Sequence, residues 1–208
     1  GRQVSTVDAL SVAHVHDVSD VLPPGRHVIT LRVDNRMVQA VGVNSHSVSD
    51  HTQSNWNGIV GRIELIATAK IWVSDLQAYP RPGNGSLRIV AEIANSTSWT
   101  GRARVAFCAQ VVGEKAVAIP SRHIEVQLDD GRVTRVECDL ALPASTPLWD
   151  EFDRSLLRLT VKTEARCGAE VVQDTCSVTI GVREFCAQRG QFVINGRPTF
   201  LRGKVDSA

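Results

Sequence analysis

Long apolar runs are missing from this 208-residue sequence. Its longest, such as Val41-Gly42-Val43 and Ile89-Val90-Ala91, are a few residues long, whereas a bilayer-spanning helix needs roughly 20. No membrane crossing is expected. An excess of charge of one sign is missing too: 23 Lys and Arg stand against 22 Asp and Glu, a formal charge of +1, so no field steers the protein toward nucleic acid. The five cysteines (Cys108, Cys138, Cys167, Cys176, Cys186) form no C-x-x-C pair, which argues against a zinc site and against a dense disulfide framework. They read as buried small hydrophobes, with one Cys167–Cys176 disulfide across a hairpin as the alternative. Gly1-Arg2-Gln3-Val4-Ser5 has no initiator Met, basic n-region or apolar h-region, so the chain reads as cut from something longer. No targeting element sets a compartment, and a periplasmic or secreted location ranks ahead of a cytoplasmic one.

Helical spacing is nearly absent as well, and what is present is alternation with a period of two, which marks strands. With 43% hydrophobic residues the chain can build one large or two ordinary cores, and the class is all-β. Ile29, Leu31 and Val33 alternate with Thr30, Arg32 and Asp34, and Ile63 and Leu65 with Arg62 and Glu64, predicting half-buried strands. Leu87, Ile89, Ala91 and Ile93 share one face, Val105, Phe107, Ala109 and Val111 another. Ile124, Val126 and Leu128 run into Asp129-Asp130-Gly131 and then Val136, Cys138, Leu140 and Leu142, which reads as a hairpin. Leu157, Leu159 and Val161, then Val178, Ile180 and Val182, supply two more strands.

Turn formers cluster at residues 78–85 after a strand-like run at 69–73 that reads as a short connector, so a boundary is placed near Lys70. Roughly seven short strands between there and Gly181 match an immunoglobulin-like sandwich, although the Cys-Trp-Cys core of antibody domains is missing. Asn195-Gly196, flanked by Gln191-Phe192-Val193-Ile194 and Thr199-Phe200-Leu201, is a strong hairpin signal with no evident domain to belong to.

Four ordered segments resemble glycoside hydrolase family 2, the group of β-galactosidases, β-glucuronidases and β-mannosidases. HDVSDVLPPGRHVITLRVDN (16–35) is similar to part of that family's sugar-binding jelly roll, and SDHTQSNWNGIVGRIELIA (49–67) to the segment that closes it. PLWDEFDRSLLRLTVKT (147–163) resembles a stretch of the immunoglobulin-like domain, with Arg154-Ser155-Leu156-Leu157 where the family has P-x-L-Y. VTIGVREFCAQRGQFVINGRPTFLRG (178–203) resembles the passage into the first strand of a catalytic TIM barrel. There the family's V-N-x-H-E is replaced by Lys204-Val205-Asp206-Ser207-Ala208, which leaves subfamily and sugar open.

The resemblance implies a partial jelly-roll sandwich at 1–70, an immunoglobulin-like β-sandwich at 71–184, and a hairpin at 185–208 leading into a missing TIM barrel. Residues 1–70 are too few for a whole jelly roll, so either its other strands come from elsewhere or the segment rearranges. The implied role is scaffolding. Such domains pack against the barrel in cis, shape the rim of the pocket that takes a β-glycoside, and contribute contacts between copies in a homo-oligomer. Hydrolysis with retention would occur on the barrel, β-galactosidase-like first and β-glucuronidase-like second, with no cofactor.

The residues themselves offer little chemistry. A retaining glycosidase needs two carboxylates about 5 to 5.5 Å apart. Asp129-Asp130 reads as a solvated turn and Asp150, Glu151 and Asp153 as a surface loop, so no catalytic residue is assigned and the chain alone is expected to be inactive. No Ser-His-Asp or Cys-His order comes with a nucleophile-elbow pattern. His14 and His16, beside Asp17, share a strand face at a spacing that suits a metal but read as ordinary surface, and no metal is expected. The ligand candidates are His51, Gln53, Asn55, Trp56 and Asn57, since imidazole, amide and indole side by side are what sugar recognition uses; Trp56 capping a core over an Asn57-Gly58 turn is the structural alternative. Trp72, Trp99 and Trp149 read as core or interdomain packing. Lys204 and Asp206 follow the strand that enters the resembled barrel and become rim candidates in a parent enzyme. A stand-alone extracellular carbohydrate-binding or adhesion module is the rival, and it leaves FVINGRPTFLRG unexplained.

Overall fold

The computed structural model describes residues 2–9, 12–34, 36, 40, 42–45, 51, 58–59, 61–113 and 117–203. Leu65–Gly203 form one compact unit, and the described residues before Leu65 belong to another.

Ten strands lie in the second unit: β1 (Ile71–Arg81), β2 (Ser86–Asn95), β3 (Gly101–Val112), β4 (Arg122–Leu128), β5 (Val133–Ala141), β6 (Leu156–Cys167), β7 (Glu170–Ile180), β8 (Phe185–Gln188), β9 (Gln191–Ile194) and β10 (Arg197–Thr199). Sheet order is β1-β2-β5 for the first layer and β4-β3-β6-β7 for the second, with β10-β9-β8 a small separate meander. The first seven strands make the sandwich. Each presents alternate residues inward, so Leu87, Ile89, Ala91 and Ile93 of β2 are fully buried, as are Val105 and Phe107 of β3 and Leu159 and Val161 of β6. Val136, Cys138 and Leu140 complete the first layer's inner face. Removing each such aliphatic side chain from water contributes about 1.5–3 kcal/mol, and this continuous core decides the fold.

Four local expectations change. The strand-like run at 69–73 is no connector: β1 starts at Ile71 and continues through Pro80, where the missing N–H is tolerated because β1 borders its sheet. The tight turn follows at 82–85, closed by the Gly85 N–H donating to the Pro82 carbonyl at 3.0 Å, with Gly85 at φ +58.

Asp129-Asp130-Gly131 does not make a hairpin. It carries the chain from β4 in one sheet to β5 in the other. The cause is Asn95 at the end of β2, only 3% exposed. Its side-chain amide donates to the Trp99 and Asp129 carbonyls at 2.8 and 3.0 Å, and its backbone N–H donates to the Arg132 carbonyl at 3.1 Å. The corner is thereby tied to β2, and the ladder continues as Ala94 opposite Val133. The constant-type immunoglobulin arrangement puts the fourth strand beside the first, second and fifth; here β4 instead flanks β3.

The cysteines are five free thiols, and only Cys138 is buried. Cys167 sits opposite Glu170 and Cys176 opposite Val161, so the β6–β7 register itself separates the two thiols offered for a disulfide.

The first unit has bends and turns but no strand among its described residues. Ile29, Leu31 and Val33, expected half-buried, are 60%, 51% and 51% exposed, Ile63 is 70% exposed, and its strand companion Leu65, the first residue of the second unit, is 73% exposed. Alternation makes an extended segment amphipathic, but a strand also needs a ladder partner and a second layer over its apolar face, and neither occurs there among the described residues.

Candidate functional site

The feature that joins distant parts of the second unit is built around Trp149, in the loop between β5 and β6. Its N–H donates to the Val182 carbonyl at 2.8 Å, pinning the loop to the chain just past β7. Gly181 lets the indole approach the backbone: a Cβ there would sit 2.7 Å from the Trp149 Cγ. The Arg183 guanidinium covers the ring at 4.7 Å from its centroid, a cation–π contact.

Onto this platform the meander is fastened by Asn195. Asn195 and Gly196 have φ +50 and +78, as a two-residue turn with both central residues left-handed requires, and Ile194 pairs with Arg197 across it. The turn leaves the Asn195 side chain free to work in three directions at once with its backbone. Its Nδ2 donates to the Trp149 carbonyl at 3.0 Å, its Oδ1 accepts from the Glu184 N–H at 2.9 Å, and its own N–H donates to the Glu184 carbonyl at 2.9 Å. Aspartate lacks the donor and glycine lacks both groups, so only asparagine meets all these requirements at a positive φ.

Asp150 adds a charged fastening. Its carboxylate accepts the Phe152 and Asp153 N–H groups, both at 2.8 Å, and an ion pair from Arg197 of β10. The Asp153 and Phe152 N–H groups hold its carboxyl below the ordinary value of 3.8, and Arg197 adds to that effect. The Asn195-Gly196 hairpin, without a domain in the sequence, therefore belongs to the sandwich, and Val193 and Ile194 are 5% and 7% exposed. A second such turn, Arg189-Gly190 at φ +49 and +76, joins β8 to β9 and was not read from the sequence.

The meander also leaves aromatic surface open. Phe185 and Phe192 stack with centroids 5.5 Å apart while remaining 48% and 47% exposed, and Phe200 beyond β10 is 85% exposed.

The residues singled out from the sequence fall elsewhere. His51 is exposed in a turn of the first unit. Gln53, Asn55, Trp56, Asn57, Lys204 and Asp206 lie outside the described residues. His14 Nε2 donates to the Ala9 carbonyl at 3.0 Å, and His16 pairs with the Ser5 hydroxyl. No group of three His, Cys, Asp or Glu side chains placed to hold a metal occurs among the described residues. Trp99 lies half-buried over Gly101 and against the core, as its packing reading requires. Asp150 departs from the surface reading: it organises a loop and grips β10, while Glu151 and Asp153 are exposed.

No family model and no curated protein matches the chain. Solved structures do match. A glycosyl hydrolase family 2 member from Bacteroides cellulosilyticus DSM 14838 is similar over 64% of this chain, with a TM-score of 0.55 and 18% identity. A calcium-binding mutant of Bacteroides uniformis β-glucuronidase 2 is similar over 65%, with TM-score 0.55 and 16% identity. Bacteroides uniformis β-glucuronidase is similar over 65%, with TM-score 0.53 and 15% identity. The matched part spans 18%, 17% and 17% of those three chains. What this chain shares with these glycoside hydrolase family 2 proteins is an all-β sandwich fold occupying a minor part of their length.

Proposed function

We propose that the chain is a non-catalytic sandwich portion of a family 2 glycoside hydrolase, serving as scaffold for an enzyme that cleaves a β-galactoside or a β-glucuronide. The observation that carries this reading is the hydrogen bond from Asn195 Nδ2 to the Trp149 carbonyl. Trp149 stands in PLWDEF and Asn195 in FVINGRP, two of the segments that resemble the family, and the fold brings them together 46 positions apart in sequence. A meander clamped to the sandwich and exposing Phe185, Phe192 and Phe200 suits a scaffold, since it supplies a surface oriented by the sandwich and able to meet a neighbouring (β/α)8 barrel in cis. Partners in this reading are that barrel, the carbohydrate it cleaves, and further copies of the same protein.

The test compares hydrolysis of chromogenic β-galactoside, β-glucuronide and β-mannoside by this chain and by a polypeptide in which it is followed by a family 2 barrel. Turnover by the longer polypeptide alone supports the scaffold and names the sugar. Inactivity of both on every substrate overturns it in favour of the binding module.

A further inference from the structure

The sequence has three Asn-Gly pairs, at 57–58, 84–85 and 195–196. Such a pair carries latent chemistry, because glycine places no side chain beside its own backbone nitrogen, and asparagine is among the thermolabile residues. That nitrogen is a nucleophile within reach of the preceding side-chain amide whenever the amide is free to turn toward it.

Asn57 lies outside the described residues. The other two asparagines are held very differently. Asn84 is exposed in the 82–85 turn, and its side chain has no hydrogen-bond partner among the described residues. Asn195 is half-buried and fixed at both ends of its amide, with Nδ2 donating to the Trp149 carbonyl at 3.0 Å and Oδ1 accepting the Glu184 N–H at 2.9 Å. Those two bonds commit the amide to Trp149 and Glu184, so its Cγ is not free to swing onto the Gly196 nitrogen.

We propose that Asn195 is a deamidation site gated by the clamp, and that its modification makes release of the meander irreversible. When the meander opens, the Gly196 nitrogen attacks the Asn195 Cγ and the Cγ–Nδ2 bond breaks. Nδ2 leaves as ammonia, carrying the proton that the Gly196 nitrogen gives up. Water then opens the resulting succinimide ring at one of its two carbonyls, to aspartate or to isoaspartate. Neither product has an amide donor for the Trp149 carbonyl. Isoaspartate also adds a methylene to the main chain inside a two-residue turn, across which Ile194 pairs with Arg197. The fraction of open chains depends on the other fastenings too, among them the ion pair of Asp150 with Arg197, so the deamidation rate follows the strength of the clamp. This inference stands apart from the scaffold reading and holds if that reading fails.

The test incubates the full chain, its Asp150→Asn and Gly181→Ala variants, and the wild-type chain unfolded in guanidinium chloride, all at one mildly alkaline pH. Peptide mass spectrometry reads conversion at Asn195 and at Asn84 separately. In the folded wild type, Asn195 is expected to convert at least about tenfold more slowly than in the unfolded chain. Each variant is expected to speed Asn195 about threefold or more while leaving the Asn84 rate unchanged, with protection of the Ile89 amide verifying that it is folded. Chains modified at position 195 should exchange their β8–β10 amides freely while Ile89 stays protected. Conversion of Asn195 in the folded wild type at the unfolded rate, equal Asn195 rates in wild type and both variants, or meander protection that survives modification overturns the proposal.

Discussion

Asn195 fastens the meander to the sandwich through both ends of its side-chain amide. Replacing it with Ala strands the Glu184 N–H and the Trp149 carbonyl, at a cost of about 1–3 kcal/mol on denaturant unfolding. Asn195→Asp retains the acceptor but turns a donor toward Trp149 into a repelled oxygen, so it should fall near Ala, not near wild type. Gly181→Ala is expected to destabilise by about 1–3 kcal/mol, because the new methyl meets the Trp149 ring. Asp150 gives a pH signature. Its carboxyl is depressed in the folded state, so its contribution is present above the unfolded value of about 3.9 and is lost as pH falls through the lower folded value. Acid titration of stability should therefore be shallower in Asp150→Asn than in wild type below about pH 4, and an identical acid limb in both would show that the fastening contributes nothing. The Asn195-Gly196 turn was legible as a dipeptide. The clamp was not, because its partners are 11 and 46 positions away and a dipeptide says nothing about what its side chain reaches.

Among the elements, the inner faces of β2, β3, β5 and β6 followed directly from alternation, since period two and burial are the same fact in a two-layer sandwich. Ile89→Ala, at the centre of β2 and fully buried, is expected to cost about 2–5 kcal/mol. What alternation could not supply was partnership. The turn at 129–131 has hairpin composition, yet Asn95 ties it to β2 and sends β5 into the other sheet. Asn95→Ala should destabilise at the level of a buried, multiply bonded amide and loosen the Asp129–Arg132 corner first, as read by amide exchange at Arg132 and Val133. The same limit explains residues 29–33. Their pattern is that of a strand, but a pattern does not create the neighbouring strand and covering layer that would bury it.

The whole of the sandwich core, from Ile71 to Val182 with Ala69 packed against it, is drawn from the Leu65–Gly203 unit. A polypeptide of residues 65–203 should accordingly unfold cooperatively with a midpoint close to that of the full chain, a comparison made by chemical denaturation. The candidate sugar contacts His51, Gln53, Asn55, Trp56 and Asn57 rest on side-chain composition, and the rim candidates Lys204 and Asp206 on the family resemblance; only His51 among them lies within the described residues. Elsewhere in the molecule, Trp149, Asp150, Asn195 and Arg197 bind the β8–β10 meander to a seven-stranded sandwich. Amide hydrogen exchange of the full chain tests that most directly. The clamp predicts that Val193, Ile194 and Asn195 are protected to nearly the same free energy as Ile89 in the core, and that Asn195→Ala removes the meander's protection while leaving that of Ile89 largely in place. Exchange of the β8–β10 amides at unstructured rates in the wild-type protein, beside a protected core, would contradict it.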